Sequence, residues 1–449
     1  MIIPASETDR FLGMDYYITD APGCGGRIKS FAEDFIVSEV FAERRYEGGR
    51  YLIVEVEKTN WDAHRLIREM ARILRISQKR FSWAGTKDKR AVTSQRISIM
   101  NLDEEELSRI HLPDLKIRVL GRSNRGVGLG DLLGNCFSIT IRDLNCQEPA
   151  AEFAAVTRQI EEQGGVPNYF GVQRFGDVRP VTHRVGEALV RGRYEEAVFI
   201  YLAQPFPGEH PETIKAREAL WLGRDIPSAL KQFPERLGFE LAMLNYLAEH
   251  PGDYAHSFMV LSSNLQRLFV HAYQSYLFNK ILSRRMRSGM PLGRVLAGDV
   301  VCFARDGLPD MGRLQRVTEE NLSAVNRLME RGRSFLTLPL IGFETELGEG
   351  EEGEIERAVL AEESVASEDF RVAGCQDLGS RGTRRAALCR VKPEFAFSGN
   401  SANLQFLLPK GSYATVVLRE YIKGHEYSRD STERDSTERD SAERVSVEE

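Results

Sequence analysis

A chain of 449 residues that is 42% hydrophobic and 28% charged is long enough for two or three domains, and it can bury its own cores without metal or disulfide staples. It has no apolar run approaching the ~20 residues of a membrane helix, and its start, MIIPASETDRF, shows no basic segment followed by an apolar one, so neither a span nor a leader is expected. The net charge of −6 argues against a nucleic-acid partner only until it is mapped: residues 424–449 carry −5 and residues 341–370 carry −10, leaving the other 393 at +9.

The first elements read as two strands, RIKSFAEDFIVSEVF (27–41) and RYLIVEVEKT (50–59), around a turn at Gly48 and Gly49. Asn60 then stands where it can cap a helix, WDAHRLIREMARIL, with Leu66, Ile67, Met70, Ile73 and Leu74 as its apolar stripe. Arg65, Arg68, Arg72 and Arg75 share the opposite face. That face is as well explained by plain solvation as by RNA contact. The nine bases and two acids from Arg65 to Arg90, Lys79 and Arg80 among them, tip the reading toward phosphate.

Two strands then flank the polar centre of RFSWAGTKDKRAVTSQRISI (80–99). The Gly-rich bend in LGRSNRGVGLGDLLGNCFSI leads into another strand, where a dinucleotide loop would open a helix. A helix ending at Gly164 and Gly165 follows. Residues 178–290 are mainly helical in pattern, and short strand-like runs and the acidic segment come next. Strand character returns in RRAALCRVKPEFAFSG and ANLQFLLPKGSYATVVLREYI. This order predicts an α+β protein: a discontinuous domain of residues 1–180 and 381–423 with a central mixed or antiparallel sheet and flanking helices, interrupted by a large α+β insertion at 181–380. The last stretch, 424–449, repeats every five residues with almost no apolar content and is expected to be disordered.

Six cysteines, at 24, 136, 146, 302, 375 and 389, form no CxxC pair, so neither a disulfide framework nor a zinc site is expected, and the usage fits a reducing cytoplasm. There is no GxSxG, HExxH or Walker loop, and the eight histidines are scattered. Any chemistry is therefore expected to need neither metal nor cofactor. The best candidate is Asp88, one carboxylate among Arg80, Lys87, Lys89 and Arg90. By composition alone GTKDK reads more readily as a turn with solubilising neighbours. Functionally, nearby cations keep a carboxylate ionised beside a polyanion, where it can act as nucleophile or base at a sugar carbon.

AGTKDKRAVTSQ, GNCFSI, GVPNYFGVQRFG and GSYATVVLRE, in that order, resemble the successive signatures of the TruD family of pseudouridine synthases. RIKSFAEDFIVSE fits its first motif, with Ala32 where proline is common. The resemblance spans about residues 27–180 and 382–423, and the weaker HAYQSYLFN (271–279) resembles part of the family's inserted domain. It implies the pseudouridine-synthase sheet with a family-specific insertion, and an isomerase that detaches uracil from ribose, turns it and rejoins it through C5, acting on uridine 13 of tRNA. It implies Asp88 as the catalytic aspartate, Lys29 as the basic residue facing it, Phe137 as the aromatic packing on the target base, and Asn135 as its neighbour. Taken alone, Lys29 reads as an exposed strand lysine, Phe137 as core and Asn135 as a turn residue. Asn168, Tyr169, Gln173 and Arg174, in the aromatic segment at the domain junction, are weaker candidates for the cleft wall. No obligate protein partner and no membrane are implied. Two other readings stay open: the same reaction on other RNAs, and an RNA-binding protein without catalysis, which would have no need of an anion beside phosphate.

Overall fold

The computed structural model describes residues 2–43, 45–372 and 374–423. The five-residue repeat of the tail lies outside them.

The centre is a mixed sheet of eight strands: β1 (Phe35–Val40), β2 (Tyr51–Thr59), β3 (Phe81–Trp83), β4 (Val92–Met100), β5 (Leu115–Ser123), β6 (Gly134–Ile141), β7 (Glu394–Ser398) and β8 (Ser401–Pro409). Their order is β7-β8-β6-β1-β4-β2-β5, with β3 on β4. Only β1 and β4 run parallel. Strands from both ends of the chain thus complete one sheet. Gly134 opens β6 because a Cβ there would sit 2.2 Å from the Leu408 carbonyl oxygen.

Directly paired residues point to the same face. Val37 is level with Phe137 and Thr93, Phe137 with Phe406, and Thr93 with Lys58. One row along, Glu39 is level with Asn135. On this face, helix α1 (Ala63–Leu74) packs Leu66, Ile67, Met70 and Leu74 over Val54, Val56, Ile97 and Ile99. Over the other half of the sheet, Phe153 of α2 (Pro149–Glu162) meets Phe395 and Phe397 edge-on and Tyr421 of α5 (Ala414–Ile422) at 5.0 Å. A cleft lies between these two covers, above β1 and β6.

Residues between the two parts of the sheet build a four-stranded antiparallel sheet, ordered 308–316, 300–305, 334–340, 383–386, and a helical cluster around 182–190, 194–203, 211–223 and 238–249 with its own apolar core. The long helix α3 (Ser263–Arg287) joins them: Leu265, Leu268 and Phe269 belong to the helical core, and Val270 to Met286 to the main one.

Three local expectations change, and one open segment gains a role. Residues 27–34 do not continue the first strand. They make one bridge, Arg27 to Arg142, and a short 3-10 turn at Ala32–Asp34, with Lys29 in the left-handed region at φ 58°. The cap of α1 is Asp62, whose side chain accepts from the Arg65 N–H, while Asn60 takes a left-handed φ two residues earlier. The acidic segment, to which the sequence assigns no role, gains one: α4 (Gly350–Glu362) buries Glu352 against Arg285 and Glu356 against Arg384. Finally, Cys24 and Cys146 form a disulfide across 122 residues. The Arg27–Arg142 bridge brings these distant segments side by side, which spacing in the sequence does not reveal.

Candidate active site

Residues 84–91 leave β3, run past the cleft on the helix-covered face of the sheet and enter β4. The Gly130 N–H donates to the Ala84 carbonyl at 2.8 Å, anchoring the start of this loop. The four cations around Asp88 do different work. Lys87 is buried and meets the buried carboxylate of Glu39 at 2.8 Å. Arg90 donates to the Ser30 carbonyl at 2.9 Å, stitching the loop to the segment that carries Lys29. Arg80 turns to the far end of β4, donating to the Met100 carbonyl at 2.6 Å and to that of Asn101. Lys89 is half-buried. Of the basic residues expected to hold phosphate, Arg80 and Lys87 are therefore committed to protein groups, because a carbonyl row and a buried carboxylate reach them first.

Asp88 faces Lys29. The ammonium donates to Oδ1 at 3.0 Å, with 23% of the lysine side chain and 27% of the aspartate side chain exposed. The same ammonium lies 4.1 Å from the centre of the Phe35 ring. Lys29 is thus no exposed strand lysine. It leaves a strained loop position, and its charge spans an apolar ring and a carboxylate. Under Asp88, the fully buried Lys58 donates to the Trp61 carbonyl at 2.6 Å and reaches the Asp88 carbonyl at 3.5 Å.

A cavity of about 800 Å³ opens over this group. Asp88, Lys87, Asn135 and Phe137 line it on the sheet side, and Gln173, Arg174 and Arg179 on the side of the inserted helices. Phe137 is both core and wall. It stacks on Phe406 at 5.5 Å, meets Phe35 edge-on at 6.1 Å and borders the cavity. Asn135 is a strand residue, not a turn residue, and its buried Oδ1 has no hydrogen-bond partner among the described residues. Gln173 accepts from the Thr415 hydroxyl at 3.1 Å, and Arg174 donates to Ser275 at 3.1 Å. Burial pushes the Arg179 guanidinium down to about 10.

Other candidates fall elsewhere. Asn168 is a buried tie, donating to the Ala386 carbonyl and accepting from Arg385 at 2.7 Å. Tyr169 is fully buried, hydrogen-bonded to Ser283, and burial raises its pKa. Arg65, Arg68, Arg72 and Lys79 are exposed on and just beyond the outer face of α1 and do not line the cavity. Arg65 lies over the Trp61 ring, and Arg72 pairs with Glu69.

Sequence reasoning missed Glu39, Phe35, Lys58 and Phe406. Glu39 had a signal: in FIVSE the inward positions run Phe35, Val37, Glu39, and a carboxylate in that series needs a buried cation. Among the described residues no group of three or more His, Cys, Asp or Glu is placed to hold a metal ion, and no helix is long and apolar enough to cross a membrane.

The sequence model of the family described as "tRNA pseudouridine synthase D (TruD)" matches residues 11–421. Over 427 residues the chain is 49% identical to the "Probable tRNA pseudouridine synthase D" of Methanosarcina mazei, covering 93% of this chain and 98% of that protein. It is 39% identical to the protein of the same name from Archaeoglobus fulgidus, covering 92% and 98%. The crystal structure titled as the putative tRNA pseudouridine synthase D of Methanosarcina mazei superposes with a TM-score of 0.84 at 49% identity, over 94% of this chain and 98% of that one. On the match to nearly its whole length, the chain belongs to the tRNA pseudouridine synthase D (TruD) family.

Proposed function

We propose that this protein isomerises uridine to pseudouridine in tRNA, at uridine 13, and that Asp88 is the group acting on the ribose of the target nucleotide. The observation that carries the reading is Asp88 itself: a partly exposed carboxylate held by Lys29 at the mouth of an aromatic-walled cavity. Relatives named for this reaction support the substrate class.

The target nucleotide leaves its stack, at a cost of a few kcal/mol, and enters the cavity. The N1–C1′ bond breaks, the uracil turns, C5 bonds to C1′, and C5 then gives up its proton while N1 is left protonated, so the overall change is an isomerisation. Asp88 starts this by one of two routes. As a nucleophile it bonds to C1′; as a base it takes the C2′ proton to give a glycal, which is reprotonated at the end. Lys29 pairs with the carboxylate and orients it in either case. Phe137 and Phe35 offer the freed base an apolar wall, and Asn135 a polar atom at its edge.

The test is tritium release from tRNA carrying 5-tritiated uridine, with the modified position mapped in tRNA from cells lacking and regaining the protein. Release with wild type and none with Asp88→Asn, together with a single site at position 13, is the expected result. Release from Asp88→Asn above a tenth of wild type under single-turnover conditions removes Asp88 from its role. Sites in other RNAs widen the substrate range instead. Deuterium at C2′ separates the routes, since only the glycal route breaks that bond.

A further inference from the structure

Phe31 is 58% exposed, more than any other phenylalanine, tyrosine or tryptophan among the described residues. A lone exposed apolar side chain needs no explanation. This one is built into a fixed mount. The Arg142 guanidinium lies 5.0 Å from the ring centre, and three hydrogen bonds of 2.7–2.9 Å to the buried carboxylate of Asp34 hold that guanidinium in place. Asp34 also accepts from the Phe31 N–H at 2.8 Å, so one carboxylate fixes both the backbone under the ring and the cation against it. The neighbouring Ser30 carbonyl is tied to Arg90 of the catalytic loop, and Lys29, two residues before Phe31, holds Asp88.

We propose that Phe31, backed by Arg142, is a stacking platform for a second unpaired nucleobase of the RNA substrate, next to the one that enters the cavity. A flipped nucleotide leaves its neighbours without a stacking partner on one side. An exposed aromatic ring with a cation behind it, two residues along the chain from the lysine that holds Asp88, offers the chemistry that single-stranded RNA uses. Such stacking tolerates any base, so the platform fixes the path of the strand without reading its sequence. The inference rests on the reading that RNA lies over Asp88.

The experiment measures binding of an unmodified tRNA transcript to full-length wild type, Phe31→Ala and Phe31→Trp, with heparin as a polyanion that has no bases. Phe31→Ala is expected to keep the wild-type melting temperature and to bind the transcript about tenfold more weakly, the scale of one stacked base. Phe31→Trp is expected to bind like wild type. Its indole emission, above the baseline of the three native tryptophans, should be quenched by tRNA and not by heparin. Wild-type affinity in Phe31→Ala, or equal quenching by heparin and tRNA, overturns the proposal. Because binding needs no turnover, an active Asp88→Asn would sink the reading of Asp88 without altering what the binding measurements say of Phe31.

Discussion

Two kinds of carboxylate–cation pair stand in different parts of this molecule. In the inserted part, Arg285 is enclosed with Asp299 and Glu352, every side chain at most 1% exposed, and Arg217 is enclosed with Glu209 and Glu240. Burial is heavy enough there to push Glu352 up to about 7 despite its arginine. At the cleft, Asp88 and Lys29 meet with about a quarter of each side chain open to solvent. Glu39 and Lys87 are intermediate, buried yet one residue from Asp88. Charges closed in on all sides hold elements together. A pair left at a cavity mouth can change partners when a substrate arrives.

Substitutions can break this contrast or sharpen it. Asp88→Asn is expected to lower single-turnover isomerisation by about a thousandfold or more while moving stability by at most ~1 kcal/mol, because a pair open to solvent at a cavity mouth contributes little to folding. Nearly unchanged tRNA affinity should accompany it. A large fall in melting temperature would show that Asp88 is structural after all. Arg285→Ala is the opposite case. It leaves Asp299 and Glu352 buried without their cation, and breaking a pair of this kind costs about 3–5 kcal/mol. Chemical denaturation should show that loss, and tRNA turnover per folded molecule should stay near wild type.

Glu39→Gln belongs between the two. Lys87 loses its counter-charge beside Asp88, so stability should fall by about 1–3 kcal/mol and turnover by roughly tenfold. Combining it with Lys87→Met removes the stranded cation. Recovery of the melting temperature without the rate would mark the pair as positioning the loop; recovery of both would mark it as packing only. Phe137→Leu keeps most of the buried volume, so a stability cost under about 1.5 kcal/mol is expected. A clear loss of turnover beyond that separates its role as cavity wall from its role as core.

A pH effect concerns His183, ringed by Phe11, Phe175 and Tyr276 and pushed by burial down to about 3. The unfolded chain binds a proton near 6.5 that the folded chain refuses, so this residue's share of stability is complete above that pH and shrinks as pH falls toward 3. The slope approaches about 1.4 kcal/mol per pH unit. Between pH 7 and 5, His183→Leu should lose less stability than wild type; equal losses would mean that the ring is protonated in the fold.

The sequence was legible where local pattern and motif order carry information. Strand alternation and the stripe of α1 announced the sheet and its cover, and the GTKDK centre announced the loop that crosses the cleft. What stayed hidden depends on which distant segments become neighbours. Cys24 and Cys146 look unrelated until the Arg27–Arg142 bridge aligns their segments. Arg80 and Lys87 both look available to phosphate until Met100 and Glu39 are found beside them. The surplus acids of 341–370 look like a solvated face until Arg285 and Arg384 are seen beneath them.

Lys29 carries a consequence for anyone selecting hardier variants of this protein. Its backbone sits at φ 58°, a conformation that costs a lysine roughly 1–2 kcal/mol and that asparagine tolerates better. In a screen that scores heat resistance alone, Lys29→Asn trades the ammonium's contacts with Asp88 and Phe35 for a more relaxed loop. The backbone at this position and the ion pair with Asp88 pull in opposite directions, and a screen that also reads turnover is the one that weighs both.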